Sequence, residues 1–276
     1  MILVTGAAGN IGGELVRALA AAGHPVRALT RSAQPDRFPA GVEAAAGDLN
    51  DPAGLRPALD GADGVFLLPG YADMPGVLAE ARRAGVRRVV QLSGMSAGSG
   101  DMSNAITAYM VMSEQAARES GLAWTIVRPA MFMTNAFQWL PQLRAGDLVR
   151  APFGRVRSAV TDPADIAAVT AAALTTPGHE SRVYEVSGPQ ALTPADRVAL
   201  LGRALGRDLR FEEQTDEEAR AEMSATTPAK YVDAFFDFYA GGALDESKVL
   251  PTVREIAGRP PRTFAHWAAA HADAFR

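Results

Sequence analysis

Residues 4–16 read VTGAAGNIGGELV, with Gly6, Gly9 and Gly12 three apart directly behind the apolar run Ile2 to Thr5. Glycine weakens strand and helix alike, so three of them at a junction imply a backbone that something must approach closely. Beyond the junction Ile11, Leu15, Ala18, Leu19 and Ala22 recur on one helical face, and the pattern stops near Gly23. A strand turning tightly into a helix presents unpaired N–H groups and the positive end of the helix dipole, which together hold a pyrophosphate. In that geometry Gly6 permits the turn, Gly9 lets phosphates come near and Gly12 lets the helix pack, while Ala8, Asn10 and Ile11 complete the loop. The other reading, a glycine-rich turn with no ligand, is disfavoured by the strand-to-helix context.

Outward from this turn, PVRALTR (25–31), VEAAAG (42–47), GVFLLP (64–69), RRVVQLS (87–93) and WTIVRP (124–129) are strand candidates. Helical patterns near 52–60, 74–85, 105–121 and 133–145 separate them. This alternation predicts an α/β fold, a Rossmann doubly wound parallel sheet covered on both faces. From about residue 150 the rhythm loosens. Asp162, Pro163 and Asp165 open an Ala-rich helix over 163–175, and Thr193, Pro194 and Asp196 repeat the device, so these acids read as helix caps and not as chemistry. The stretch 215–243 is helical and aromatic. We divide the chain into a dinucleotide-binding core, 1–150, and a mixed segment, 151–276, that completes the core and forms a small, mostly helical substrate-binding lobe.

Composition removes several classes of function. The 276 residues suit one large domain, and a net charge of -4 offers no basic patch to nucleic acid. No apolar run approaches the roughly 18 residues that span a membrane. The first strand begins at residue 2, which leaves no room for a signal peptide, and there is no cysteine for a disulfide or a thiolate metal site. The histidines are scattered, with His266 and His271 five apart and off a common helical face, so no metal is expected. The cytoplasm is the expected location.

The spacing GxxGxxG after a threonine resembles the extended and atypical short-chain dehydrogenase/reductases, and more specifically their NmrA-like branch with its quinone and dye reductases. The resemblance runs through ALTRS, GDLNDP, VVQLSGMSA, SEQAARESGLAWTIVRPAMFMTN, TDPADIAAV and VYEVSGPQALT, in the family's order. It implies that Asp48 and Leu49 contact the adenine edge, that Leu68 and Pro69 pass the cofactor ribose, and that Ser93 and Gly94 end a strand near the nicotinamide. About 20 residues beyond the glycines an acid would bind the ribose hydroxyl of NAD, whereas here Arg31 stands beside Ser32. NADP(H) is therefore favoured, with NAD(H) the alternative, because a lone arginine also stacks on adenine. No flavin is expected.

Most short-chain reductases protonate their product with a tyrosine tuned by a lysine four residues later. The residues four beyond Tyr71, Tyr109, Tyr184, Tyr231 and Tyr239 are Pro75, Ser113, Gly188, Phe235 and Ala243, and the only lysines are Lys230 and Lys248. A ketone needing a tuned acid would be handled poorly, while hydride addition to a quinone gives a phenolate with a pKa of about 10, which needs little help. Tyr109, Ser93 and Ser96 are the candidate donors to the substrate oxygen. Six of nine methionines lie between residues 95 and 133, which with the aromatics after the sixth strand points to a flat apolar pocket lined by Met95, Met131, Phe132, Phe137 and Phe235, the alternative for each of them being to fill the core. The aromatic face of the C-terminal helix, with Tyr231, Phe235 and Phe238, reads as a lid over that pocket or as a homodimer seam.

The expected activity is flavin-independent, NAD(P)H-dependent reduction of a quinone or conjugated aromatic carbonyl. The Ala- and Arg-rich, Lys-poor composition resembles proteins of high-GC bacteria, where NmrA-like members tailor aromatic polyketides; coupling to oxygen there would make the chain a monooxygenase component. The alternative is a redox sensor that binds dinucleotide without turnover.

Overall fold

In the computed structural model, which describes residues 1–276, the first apolar run forms β1 (Ile2–Val4), buried throughout. Its side chains alternate between two cores, Ile2 and Val4 on one face of the sheet and Leu3 on the other, as the period of a strand requires. The chain continues through α1 (Asn10–Ala21), β2 (Val26–Thr30), β3 (Glu43–Ala46), α2 (Arg56–Leu59), β4 (Gly64–Leu67), α3 (Met74–Arg83), β5 (Arg88–Leu92), α4 (Ala105–Glu119) and β6 (Ala123–Pro129). Then come α5 (Leu140–Ala145), β7 (Leu148–Ala151), α6 (Pro163–Thr175), β8 (Arg182–Val186), α7 (Pro194–Leu205) and β9 (Arg210–Glu213). The C-terminal part is α8 (Asp216–Ser224), α9 (Ala229–Tyr239), α10 (Thr252–Ala257) and α11 (Phe264–Ala270).

Seven strands form one sheet in the order β3-β2-β1-β4-β5-β6-β8, every pair parallel. The order reverses between β1 and β4, and beyond the carboxyl ends of strands at such a reversal lies the crevice where ligands bind in these sheets. On one face Leu15, Leu19, Ile166 and Val169 from α1 and α6 pack against Val4, Phe66 and Val90. On the other, Leu59, Leu78 and Ala116 from α2, α3 and α4 cover Leu3, Leu67 and Val89.

A third cluster belongs to the lobe: Trp139, Leu143, Val149, Leu201, Phe264 and Trp267 pack together, and β7 pairs with β9 beside them. Residues on both sides of position 150 enter it. Conversely, α6 and β8, from beyond 150, complete the sheet layer, so core and lobe interleave along the chain.

Local structure departs from the periodicity in three places. Near 52–60 a 3₁₀ turn, Ala53–Leu55, passes into the single turn of α2. The pattern at 133–145 is a 3₁₀ stretch, Met133–Trp139, that passes into α5 with Pro141 in its first turn. The stretch 215–243 breaks before Pro228 into α8 and α9, because proline cannot donate to a continuing helix. The caps fall where the sequence puts them: Asp162 accepts from the Ala164 N–H at 2.8 Å, and Thr193 and Asp196 form a reciprocal capping box. Asp165 does more than begin a helix. Fully buried, it accepts from Arg259 at 2.6 Å and from the Arg262 N–H at 2.7 Å, tying α6 to the C-terminal segment. No helix is long and apolar enough to cross a membrane.

Candidate active site

The glycine turn has a different requirement at each position. Gly6 has φ +58, and a Cβ there would meet Leu68 Cδ1 at 2.5 Å, so Leu68 closes over a residue that must be bare. A Cβ on Gly12 would lie 2.2 Å from the Gly6 carbonyl, which makes Gly12 the contact that seats α1 on the turn. Gly9 is exposed, and its Cβ would touch only that carbonyl, at 3.2 Å. No side chain caps α1 and no acid stands in its first turn, whereas α3, α4, α6, α7 and α8 are each capped by a side chain. Open N–H groups beside a bare residue fit a pyrophosphate. Asn10 donates to Thr134 Oγ1 at 3.2 Å, which joins this turn to the segment after β6, and Thr5 Oγ1 accepts from the Leu68 N–H at 3.3 Å, which joins the ends of β1 and β4.

At the ends of β2 and β3, Arg31 and Asp48 converge on Tyr71. Burial raises the Tyr71 phenol, the Asp48 charge raises it further, and Arg31 opposes both. Asp48 Oδ1 accepts from the Asn50 N–H at 2.9 Å, and Leu49 is buried. Arg31 is exposed. A second arginine of the same loop reaches the turn itself: Arg37 Nη2 donates to the Ala8 carbonyl at 2.9 Å. Sequence reading passed over Arg37 because it counted only to the end of the strand, although the loop RSAQPDRF displays both cations.

Beyond β5 the structure removes one candidate donor. Ser93 is buried and its hydroxyl donates to Glu114 Oε1 at 2.7 Å, so its proton is committed within the fold and braces the strand end. Glu114 also accepts from Arg128 through Nε and Nη2, both at 2.7 Å. Burial pushes Glu114 up, but the Arg128 and Ser93 hydrogen bonds outweigh it and hold the carboxyl below its ordinary value. Removing Glu114 strands a largely buried guanidinium, so Glu114→Leu is expected to cost about 3 to 5 kcal/mol in chemical denaturation; a loss under about 1 kcal/mol would show that the network holds little. With a folded pKa below the unfolded value of about 4.3, this contribution is complete above that pH and is lost as the pH falls through the folded pKa.

Tyr109, on α4, is half-buried, edge-on to Tyr231 at 6.4 Å and close against Gly70. Burial raises its phenol, and Tyr231 adds to the shift. Four residues on, Ser113 donates to the Tyr109 carbonyl at 2.7 Å and accepts from the Gly70 N–H at 3.0 Å. A structural brace occupies the place of a tuning lysine. Ser96 is buried in the 3₁₀ turn Met95–Ser99, and Pro69 ends the chain's run out of β4 into the same region.

The methionine stretch does not form one wall. Met102 and Met112 are exposed, Met133 is fully buried in the lobe, and Met110 Cε lies 3.6 Å from where a Cβ on Gly94 would stand. Phe132 packs on the sheet core, and Phe137 turns away to stack on Phe275 with ring centroids 5.1 Å apart. Met131 and Phe235 do meet, in a cleft of about 420 Å³ that begins just past β6 and is walled by Trp139, Phe153, Val156 and Tyr239. Glu246 supports its floor, accepting from the Met131 N–H at 3.0 Å and from the Tyr239 hydroxyl at 3.1 Å. Nothing periodic marks Glu246 in the sequence. A second cleft, of about 300 Å³, opens at the glycine turn itself, lined by Ala8, Gly9, Asn10, Arg37 and Thr134 and reaching Trp267 and His271.

α9 covers this region through Asn104, which donates to the Ala234 carbonyl at 3.2 Å and to Asp237 Oδ2 at 2.9 Å.

Comparison with known proteins adds chemistry to this geometry. The family model described as NAD(P)H-binding matches residues 6–177. A (4-alkanoyl-5-oxo-2,5-dihydrofuran-3-yl)methyl phosphate reductase from Streptomyces griseus is 45% identical, covering 100% of this chain and 99% of that protein. An NAD(P)H azoreductase from Xenophilus azovorans is 41% identical with the same coverage. Among solved structures, an NADPH-dependent quinone oxidoreductase from Escherichia coli shares the fold with a TM-score of 0.79 at 24% identity, covering 100% of both chains.

Proposed function

We propose, because the chain belongs to the NAD(P)H-binding family as an NmrA-like member of the atypical short-chain reductases, that it reduces a quinone or other flat conjugated carbonyl seated in the Met131 cleft. It is an NAD(P)H-dependent oxidoreductase; both full-length relatives are named as reductases, one of them an NAD(P)H azoreductase. The observation that carries the acceptor is the aromatic-walled cleft that begins just past the carboxyl end of β6; Tyr109 lies outside its lining, and burial raises the Tyr109 phenol. The bound reduced dinucleotide supplies the hydride. The protein's part is to hold two flat rings together and keep water away, with Trp139, Phe153 and Phe235 as the apolar walls. Tyr109 and Ser96 stand outside the cleft lining, so in this reading they donate to the acceptor oxygen only where the acceptor reaches out of the cleft toward α4.

Such acceptors share one property: the adduct is a stabilised anion. A quinone gives a phenolate. The Streptomyces relative's named substrate has one ring double bond conjugated to both an alkanoyl group and the ring carbonyl, so hydride addition there would give an enolate spread over both. A narrower form of the reading makes the acceptor an aromatic polyketide intermediate whose hydroquinone product then meets oxygen; the Lys-poor, Ala-rich composition supports it. NADPH oxidation with 1,4-naphthoquinone under anaerobic conditions tests the general reading, and no turnover with any quinone or azo acceptor would overturn it.

Cofactor preference provides a separate expectation. NADPH should bind more tightly than NADH, and Arg37→Ala should remove more of the difference than Arg31→Ala, because Arg37 is already anchored at the phosphate turn. Calorimetric titration of both dinucleotides checks this; equal wild-type affinities would remove the arginine argument.

A further inference from the structure

One cation in the Met131 cleft has no partner. Arg197, one turn into α7, is 6% exposed and lines the cleft between Pro194 and Trp139. Its Nε has no hydrogen-bond partner, its Nη1 reaches only the Met131 thioether at 3.4 Å, and its guanidinium carbon stands 5.5 Å from the centre of the Trp139 ring. No carboxylate lies within the 4.0 Å of an ion pair. Burial lowers the Arg197 pKa to about 10, with Tyr239 and Glu246 opposing, so the group remains charged at neutral pH.

The other charges of the cleft are accounted for. Arg150 is paired with Glu212 and Glu218, and Glu222 accepts from Gln214 at 2.7 Å. Glu246, the nearest acid, is committed to the Met131 N–H, the Tyr239 hydroxyl and Ser158 Oγ. A buried guanidinium whose only hydrogen bond is to a thioether is costly unless something enters to satisfy it. Its planar fork matches an oxyanion in two-point contact.

We propose that Arg197 receives an anionic substituent, a phosphate monoester or a carboxylate, carried by the flat acceptor that the cleft holds. The proposal rests on the cleft being the acceptor site, and its test separates the two. Phenyl phosphate and benzoate, titrated by calorimetry into the full-length protein saturated with NADP⁺, should show binding by at least one, at least about tenfold weaker in Arg197→Met and intermediate in Arg197→Lys, which keeps charge but loses the fork. Whichever compound binds identifies phosphate or carboxylate. No binding of either, or equal binding to wild type and Arg197→Met, overturns the proposal. Methionine fills the space without a charge, so Arg197→Met should melt no lower than wild type; if it does unfold, Arg197→Lys against wild type decides the same question.

Turnover provides the second arm. The ratio of kcat/KM for 1,2-naphthoquinone-4-sulfonate to that for 1,2-naphthoquinone should fall at least about 30-fold in Arg197→Met. Equal loss on both quinones would assign Arg197 a merely structural role and overturn the proposal. If wild type reduces neither these two nor any other quinone or azo acceptor, the acceptor reading fails, and the calorimetric comparison still decides on Arg197.

Discussion

Gly9→Val is expected to abolish dinucleotide binding while leaving the fold standing. At this position φ is -87 and ψ is 178, an extended backbone that valine adopts readily. The added Cβ meets only the Gly6 carbonyl, at 3.2 Å, so the chain accommodates it by shifting a few tenths of an ångström. The side chain then projects over the open first turn of α1, where the phosphates must come. Losing two hydrogen bonds to a charged group costs about 3 to 6 kcal/mol, which is about 10² to 10⁴ in affinity. Gly12→Ala is the contrasting control. Its methyl would sit 2.2 Å from the same carbonyl and unseat α1, so stability should fall along with binding. Calorimetry with NADPH beside thermal melts distinguishes the two, and an unchanged affinity in Gly9→Val would remove the glycine turn from the site.

Tyr109→Phe should cost less than about tenfold in quinone reduction, well short of the 10² to 10⁴ or so that a true general acid contributes. The phenol is raised by burial and by Tyr231, and Ser113 stands where a tuning lysine would be. Tyr109 therefore offers a hydrogen bond but is a poor proton source. Simple aliphatic ketones should be reduced at least about 10³ times more slowly than quinones, because their alkoxides need roughly 4 kcal/mol of help that no group supplies. Both rates are read from anaerobic NADPH consumption. A loss above about 10³ in Tyr109→Phe, with cofactor affinity intact, would make Tyr109 the acid after all.

The sheet was legible in the sequence because its signal is local. Three glycines at a strand end, a period-two run and a 3.6-residue run are all contained within some 20 residues, and α1, α3, α4 and α6 appear where that pattern puts them. The glycine turn was legible for the same reason. The cleft past β6 was not, because its neighbours come from far along the chain: Met131 meets Glu246, and Asn104 meets Ala234. A cluster of methionines in sequence says only that the residues are apolar, and here they scatter from full burial at Met133 to 60% exposure at Met112. Ser93 misled for a related reason. A serine at a strand's carboxyl end looks available until the glutamate that claims it, Glu114, is placed beside it by a helix 21 residues later.

The interleaving of sheet and lobe limits how this protein can be rebuilt. Trp139, Leu143 and Val149 enter the lobe before α6 and β8 return to the sheet, and α7 then goes back. A hybrid made by one crossover near residue 150 would separate five of the lobe cluster's twelve buried residues from the other seven and take the last strand of the sheet from the other parent. Recombination with a relative would need paired exchanges on both sides of α6 and β8 to transfer an intact Met131 cleft. New substrate ranges on this scaffold are therefore more accessible through single replacements along the cleft walls than through exchange of whole modules.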